Sequence, residues 1–132
     1  MPGRRFLDPD ALPPPFGYSH VVDVPAGRLV FISGQVPLDA EGSLVGEGDF
    51  EGQTRQVFEN LSAALAAADA GWGDVVKLNF FLRDVGQIAQ LREIRDEYVD
   101  PKRRPASTLV EVSRLFREEV LIEIDAVAAL DA

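Results

Sequence analysis

A chain of 132 residues, 46% of them apolar, is long enough to bury the core of a single domain without covalent staples. It contains no cysteine, which excludes disulfides and thiolate chemistry, and its one histidine, His20, cannot build a multi-histidine metal site. With 22 acidic residues against 13 basic ones the net charge is −9, which repels phosphate backbones and argues against a nucleic-acid partner.

Residues 1–16 carry five of the nine prolines, including Pro13-Pro14-Pro15, and show no apolar period. They are expected to run over the surface as an extended arm ahead of the regular structure of a single domain spanning 1–132. Arg4 and Arg5 are not followed by an apolar stretch of signal-peptide length, and no apolar run could span a bilayer. The expected setting is the cytoplasm, with no membrane partner.

Residues 18–24 read as a strand, Pro25-Ala26-Gly27 as a turn and residues 29–36 as a second strand, together an antiparallel hairpin. Residues 39–48, rich in glycine and acid, read as a loop. From Asp49 the period changes. Phe50, Val57, Phe58, Leu61, Leu65 and Ala68 recur at helical spacing, and the run ends before Gly71. Residues 75–82 read as a strand, and Ile88, Leu91, Ile94, Arg95 and Tyr98 mark a second helix that stops before Pro101. After the basic link Lys102-Arg103-Arg104, a final hairpin is expected from residues 107–112 and 120–128.

This order places two helices on one face of a small mixed sheet, an α+β sandwich. Alternation then sorts the strands. Ile122, Ile124, Ala126 and Ala128 point one way, and Leu121, Glu123, Asp125 and Val127 the other. Val76, Leu78, Phe80 and Leu82 oppose Val75, Lys77, Asn79 and Phe81, while Val30, Ile32, Gly34 and Val36 oppose Leu29, Phe31, Ser33 and Gln35. The helices can cover only one of the two faces. The other is too apolar for water and too polar for a dry core, so a homo-oligomer packed sheet to sheet is expected, with its polar groups lining clefts between subunits.

Several residues on these strands are suited to chemistry. Gly34 within a strand lets a ligand approach the backbone, although it reads equally as a bulge or packing glycine. Glu123 in a sheet face can hold or activate water, or be a paired structural acid. Tyr18 reads as a pocket residue or a half-buried strand aromatic, and His20 as a hydrogen-bonded structural histidine rather than a base. Ser19, Ser33 and Ser107 lack a local nucleophile signature. The Lys102-Arg103-Arg104 cluster reads as a solvated turn, with anion capture as the alternative.

Taken together, Phe16-Gly-Tyr-Ser-His20, Phe31-Ile-Ser-Gly-Gln-Val-Pro37, Thr54-Arg-Gln-Val-Phe-Glu-Asn-Leu61, Gly73-Asp-Val-Val-Lys77, Arg104-Pro-Ala106, Leu109-Val-Glu-Val112 and Ile122-Glu-Ile-Asp-Ala126 resemble the reactive-intermediate deaminases, the Rid or YjgF family. The resemblance covers nearly the whole chain in order. It implies a chorismate-mutase-like β-β-α-β-α-β-β sandwich, a homotrimer with ligand clefts between subunits, and hydrolysis of enamines or imines to 2-oxo acids and ammonia with no metal or organic cofactor. An imine carbon is already electrophilic, so placing a water and supplying a proton suffice.

Active members continue their motif as Pro-Ala-Arg-Ser, where the arginine grips the substrate carboxylate. Here the residues are Pro105-Ala106-Ser107-Thr108, and a short neutral serine cannot make that bidentate contact. By resemblance Glu123 would position water, Tyr18 and Gly34 would shape the cleft, Leu109 would offer its backbone carbonyl, and Ser107 would touch the ligand. Arg92, Arg103 and Arg104 are candidates to replace the absent arginine. Two functions compete: a hydrolase for a small enamine, imine or related metabolite, and a non-catalytic trimer that binds a small metabolite or regulates a partner. The ribonuclease activity attached to relatives is opposed by the acidic charge.

Overall fold

The longest element is the helix α1 (Phe50–Ala67), and its buried residues Phe50, Gln53, Thr54, Val57, Phe58, Leu61 and Leu65 fall three or four apart, one stripe of a 3.6-residue period. Its end falls before Gly71, as the sequence period indicates. Asp69, not a glycine, takes the left-handed conformation that stops the helix (φ 58°), and the amides of Ala68 and Ala70 both donate to the Leu65 carbonyl. The structure, a computed structural model, describes residues 3–15, 17–25 and 27–131. The turn expected at Ala26, and Phe16 of the quoted motif, therefore lie outside the described residues.

The remaining elements are β1 (Arg5–Leu7), β2 (Val21–Asp23), β3 (Arg28–Gln35), β4 (Val75–Leu82), α2 (Ile88–Arg95), β5 (Ala106–Glu111) and β6 (Ile122–Leu130). Four strands form one mixed sheet in the order β3-β6-β4-β5, with β4 and β5 parallel and the other neighbours antiparallel. Both helices lie on one face of this sheet, α1 against β6, β3 and α2. Between the layers Phe58, Leu61, Leu78, Leu82, Leu91, Ile94, Ile122 and Ile124 are fully buried, each contributing about 1.5–3 kcal/mol. The α+β sandwich expected from the sequence is the observed architecture.

Among the described residues neither expected hairpin is paired. β2 pairs with β1, inside the arm expected to lack regular structure, as a separate antiparallel pair (Arg5↔Asp23, Phe6↔Val22, Leu7↔Val21). The strand expected at 18–24 shrinks to three residues, and the main sheet has four strands, one fewer than a β-β-α-β-α-β-β count would put there. At the other end β5 and β6 are not neighbours, because β4 runs between them. The physical reason is the intervening helix: β4, α2 and β5 form a β-α-β unit, which returns the chain parallel to its starting strand.

Two irregularities also break the simple alternation. Val75 is buried, not outward, because the β4–β6 register shifts between Val75 and Lys77. In β3 the register shifts between Ile32 and Gln35, and the extra residue carries Gly34 away from the covered face where alternation had put it. A β-carbon on Gly34 would strike Glu123, so the glycine belongs to the outer face. That face is open: Phe31 is 74% and Leu29 55% exposed on one edge strand, and Val110 of β5 is exposed at the opposite edge.

Candidate functional site

Tyr18 reaches its place through the backbone of its neighbour. The Ser19 amide donates to the Pro105 carbonyl (3.0 Å) and its hydroxyl to the Arg104 carbonyl, so the segment after the arm is stitched to the strand entry that leads to Ser107. His20 anchors the same segment: its ring Nε2 lies 2.7 Å from the Pro13 carbonyl, its amide donates to Asp8, and its ring meets Tyr18 edge-on at 5.2 Å. This is the structural role the sequence suggested for it.

Ser107 and Leu109 stand opposite Leu78 and Phe80 in the parallel ladder, so they face the helix layer. Because β5 is the edge strand, that layer is incomplete there, and a cavity of about 240 Å³ opens between β5 and α2. Phe80, Ile88, Leu91 and Leu109 form its apolar wall, and Tyr18, Ser107, Arg92 and Arg95 supply its polar groups. Smaller than the usual ligand pocket of about 300 to 1,000 Å³, it has room only for a small metabolite.

In the sequence Arg95 shows only as part of a helix stripe. It is 9% exposed, and its Nε and Nη2 both donate to Oδ1 of Asp96 (3.1 and 3.0 Å). Gly17, at φ +81°, lies against the guanidinium so closely that a β-carbon would stand 2.8 Å from Cζ. Burial lowers the Arg95 pKa, opposed by the bond to Asp96 and assisted by Arg104 and Arg92. The signal available in the sequence is position: Arg95 and Arg92 sit one turn apart on the helix that precedes the strand of Ser107 and Leu109.

The other candidate replacements diverge. Arg103 turns away, its Nη2 towards the Gly73 carbonyl (3.5 Å) and its guanidinium over the Phe6 ring at 5.6 Å. Arg104 pairs with Asp96 at 3.4 Å beside, not in, the cavity, where it flanks a second cleft with Tyr18 and Ser19. Both are half-buried, not the water-facing turn residues the cluster suggested. Only Arg92 of the three lines the cavity.

Glu123 and Gly34 lie elsewhere. Glu123 pairs with Phe81 on the outer face of β6, where Asp125 follows and accepts a 2.7 Å bond from Asn79. Burial first, and then the Asp125 charge, push the Glu123 pKa up. The five sequence candidates thus form two groups: Tyr18, Ser107 and Leu109 at the cavity, and Gly34 with Glu123 across the sheet. Among the described residues no cluster of three or more His, Asp or Glu could hold a metal ion, and no helix is long and apolar enough to cross a membrane.

Comparison with known proteins gives this architecture its relatives. The family model described as endoribonuclease L-PSP matches residues 9–130. A RutC family protein of Pyrococcus horikoshii is 43% identical over 117 residues, covering 88% of this chain and 90% of its own. The 2-iminobutanoate/2-iminopropanoate deaminase of Salmonella typhimurium is 36% identical, covering 83% and 85%. Among solved structures, a Rid family protein of Yersinia pestis superimposes with a TM-score of 0.83 at 36% identity, over 96% of this chain and 98% of that one. The chain therefore belongs to the endoribonuclease L-PSP family, the Rid or YjgF proteins, among whose members are deaminases.

Proposed function

We propose that this protein is a hydrolytic deaminase of a small enamine or imine, working as a homotrimer in clefts where the cavity of one subunit meets the Glu123 face of another. The observation that carries the reading is the separation of the two groups of site residues on opposite faces of one sheet, next to an outer face that leaves Phe31 and Leu29 in water. A second copy packed on that face would bury the apolar residues and bring an acid to a foreign pocket.

The chemistry is modest. Water adds to the C=N carbon, the carbinolamine collapses, and ammonia leaves as C=O forms, an enamine first taking a proton on carbon to become the imine. A carboxyl whose pKa is raised stands nearer the working pH than an ordinary one, so Glu123 both orients the water as a base and returns the proton to nitrogen. Tyr18 and Leu109 shape the pocket, Ser107 touches the ligand, and Gly34 leaves Glu123 its room. The net charge of −9 weighs against the nuclease activity in the family description.

A non-catalytic, metabolite-binding trimer is the second reading, favoured by Ser107 standing where active relatives are expected to carry arginine. The test is to generate 2-iminopropanoate in situ and follow its decay. Acceleration by the wild type that is lost in Glu123→Ala supports the enzyme. Acceleration by Ser107→Arg alone means that the native protein does not deaminate 2-imino acids, and acceleration by no variant leaves the binding reading ahead.

A further inference from the structure

The cavity beside Ser107 is lined by two cations and no anion, in a protein that carries a net charge of −9. Arg92 and Arg95 come from the last turn of α2, on the wall of the cavity opposite the strand that would have carried the family's arginine. Elsewhere on the wall Phe80, Ile88, Leu91 and Leu109 are hydrocarbon, so the cavity is amphipathic, with a cationic part and an apolar part.

We infer that Arg95, assisted by Arg92, holds the ligand's carboxylate from the helix side of the cavity, in place of the strand arginine that this chain lacks. This rests on the proposed use of the same cavity and deepens it by naming the ligand's anchor.

The local construction of Arg95 favours binding over mere surface pairing. Asp96 takes Nε and Nη2 through a single oxygen, which fixes the plane of the guanidinium and leaves Nη1 outside that pair. Gly17 closes one side of that plane, and no side chain could replace its hydrogen without displacing the guanidinium. The same Asp96 oxygen also faces Arg104 at 3.4 Å, so one carboxylate serves two guanidiniums while Arg92 adds a third positive charge nearby. A carboxylate arriving in the cavity is met by a desolvated, preoriented cation, the setting in which charge-assisted hydrogen bonds are strongest. Arginine is also the side chain whose fork matches a carboxylate, and the apolar wall leaves the ligand's other end a dry surface.

The test measures binding, not turnover, on the assembled protein by isothermal titration calorimetry. The probes are 2-oxobutanoate, its neutral amide 2-oxobutanamide, and inorganic phosphate. The wild type is expected to bind 2-oxobutanoate and to bind the amide more weakly. Arg95→Gln should weaken 2-oxobutanoate binding roughly 10- to 100-fold, with little change for the amide. Arg92→Gln should weaken it less, Arg95→Lys should restore part of the loss, and Arg114→Gln, a change at an exposed residue outside the cavity, should do nothing.

Unchanged 2-oxobutanoate affinity in both Arg95→Gln and Arg92→Gln overturns the inference, as does a wild type that binds acid and amide alike or binds neither. Phosphate bound more tightly than 2-oxobutanoate overturns the carboxylate assignment. Should Arg95→Gln not fold, Arg92→Gln and the acid-against-amide comparison in the wild type decide alone. A wild type that binds 2-oxobutanoate through Arg95 but does not accelerate imine decay fails the proposed reaction and not the anchor, so the two failures are separable.

Discussion

Gly34 and Glu123 exclude one another's growth: a β-carbon on the glycine would stand 2.8 Å from Cδ of the glutamate and nearer still to Oε2. The glycine is therefore the space in which the carboxyl sits. Its backbone is not left-handed, so alanine is tolerated by the chain itself, and the conflict falls on the flexible end of Glu123. Gly34→Ala should leave thermal stability within about 1 kcal/mol of wild type while moving the carboxyl. Misplacement of that size should lower kcat by about 10²-fold, and Gly34→Ala added to Glu123→Ala should cost nothing further. Steady-state kinetics and urea unfolding of the three variants check this.

The raised pKa of Glu123 has a sign that unfolding can read. The folded chain holds that proton more tightly than the unfolded chain does, because burial and then Asp125 disfavour the ionised form. The group's contribution to stability is complete below the ordinary carboxyl range and is lost as pH rises through the raised value. Glutamine has no such titration. Glu123→Gln should therefore match wild type near pH 4 and gain on it towards pH 7, modestly, since the group is only partly buried and solvent screens it. Thermal melts across that range test the sign, and a variant that falls behind as pH rises would contradict it.

The outer face should prove to be an interface. Phe31, paired across to Val127 and 74% exposed, is the apolar side chain with most to lose from water. Phe31→Asp should fold with near-native stability as a single chain but weaken self-association by about 2 kcal/mol or more. Sedimentation velocity at micromolar concentration should show a homotrimer for wild type and a shift to monomer for the variant, with deaminase activity falling in step. A wild type that sediments as a monomer would sink the cleft between subunits.

Gln53 stabilises the approach to Glu123. Wholly buried in α1, its Nε2 donates to the carbonyls of Gly46 and Glu119 (3.1 and 2.8 Å), and its Oε1 accepts from the Leu121 amide (2.8 Å). Gln53→Leu keeps the bulk and strands those backbone groups, so it should destabilise the fold by about 1–3 kcal/mol, measured by chemical unfolding. Activity should fall too, because Leu121 lies two residues before the glutamate.

Helical periods were plain in the sequence, since seven buried positions of α1 repeat over five turns of chain. The β4 limits were plain as well, because residues 75–82, apolar except for Lys77 and Asn79, lie between Asp74 and Arg83. Pairing was not. Alternation says which way a side chain points but not which strand lies beside it, so chain order alone suggests β2 beside β3 and β5 beside β6. Bulges are equally silent: one extra residue near Gly34 reverses its face with no change in composition. Arg95 escaped notice because a buried arginine on a helix looks, in sequence, like any solvated one until Gly17 and Asp96 are seen to close around it.

The strand made last in this sheet lies in its middle: β6 joins β3 on one side to β4 on the other. During synthesis, then, β4 can pair with β5, but β3 has no partner in the sheet until residue 130 has left the ribosome. The core and the acid at position 123 are consequently completed in one event, and a nascent chain arrested before β6 would have neither.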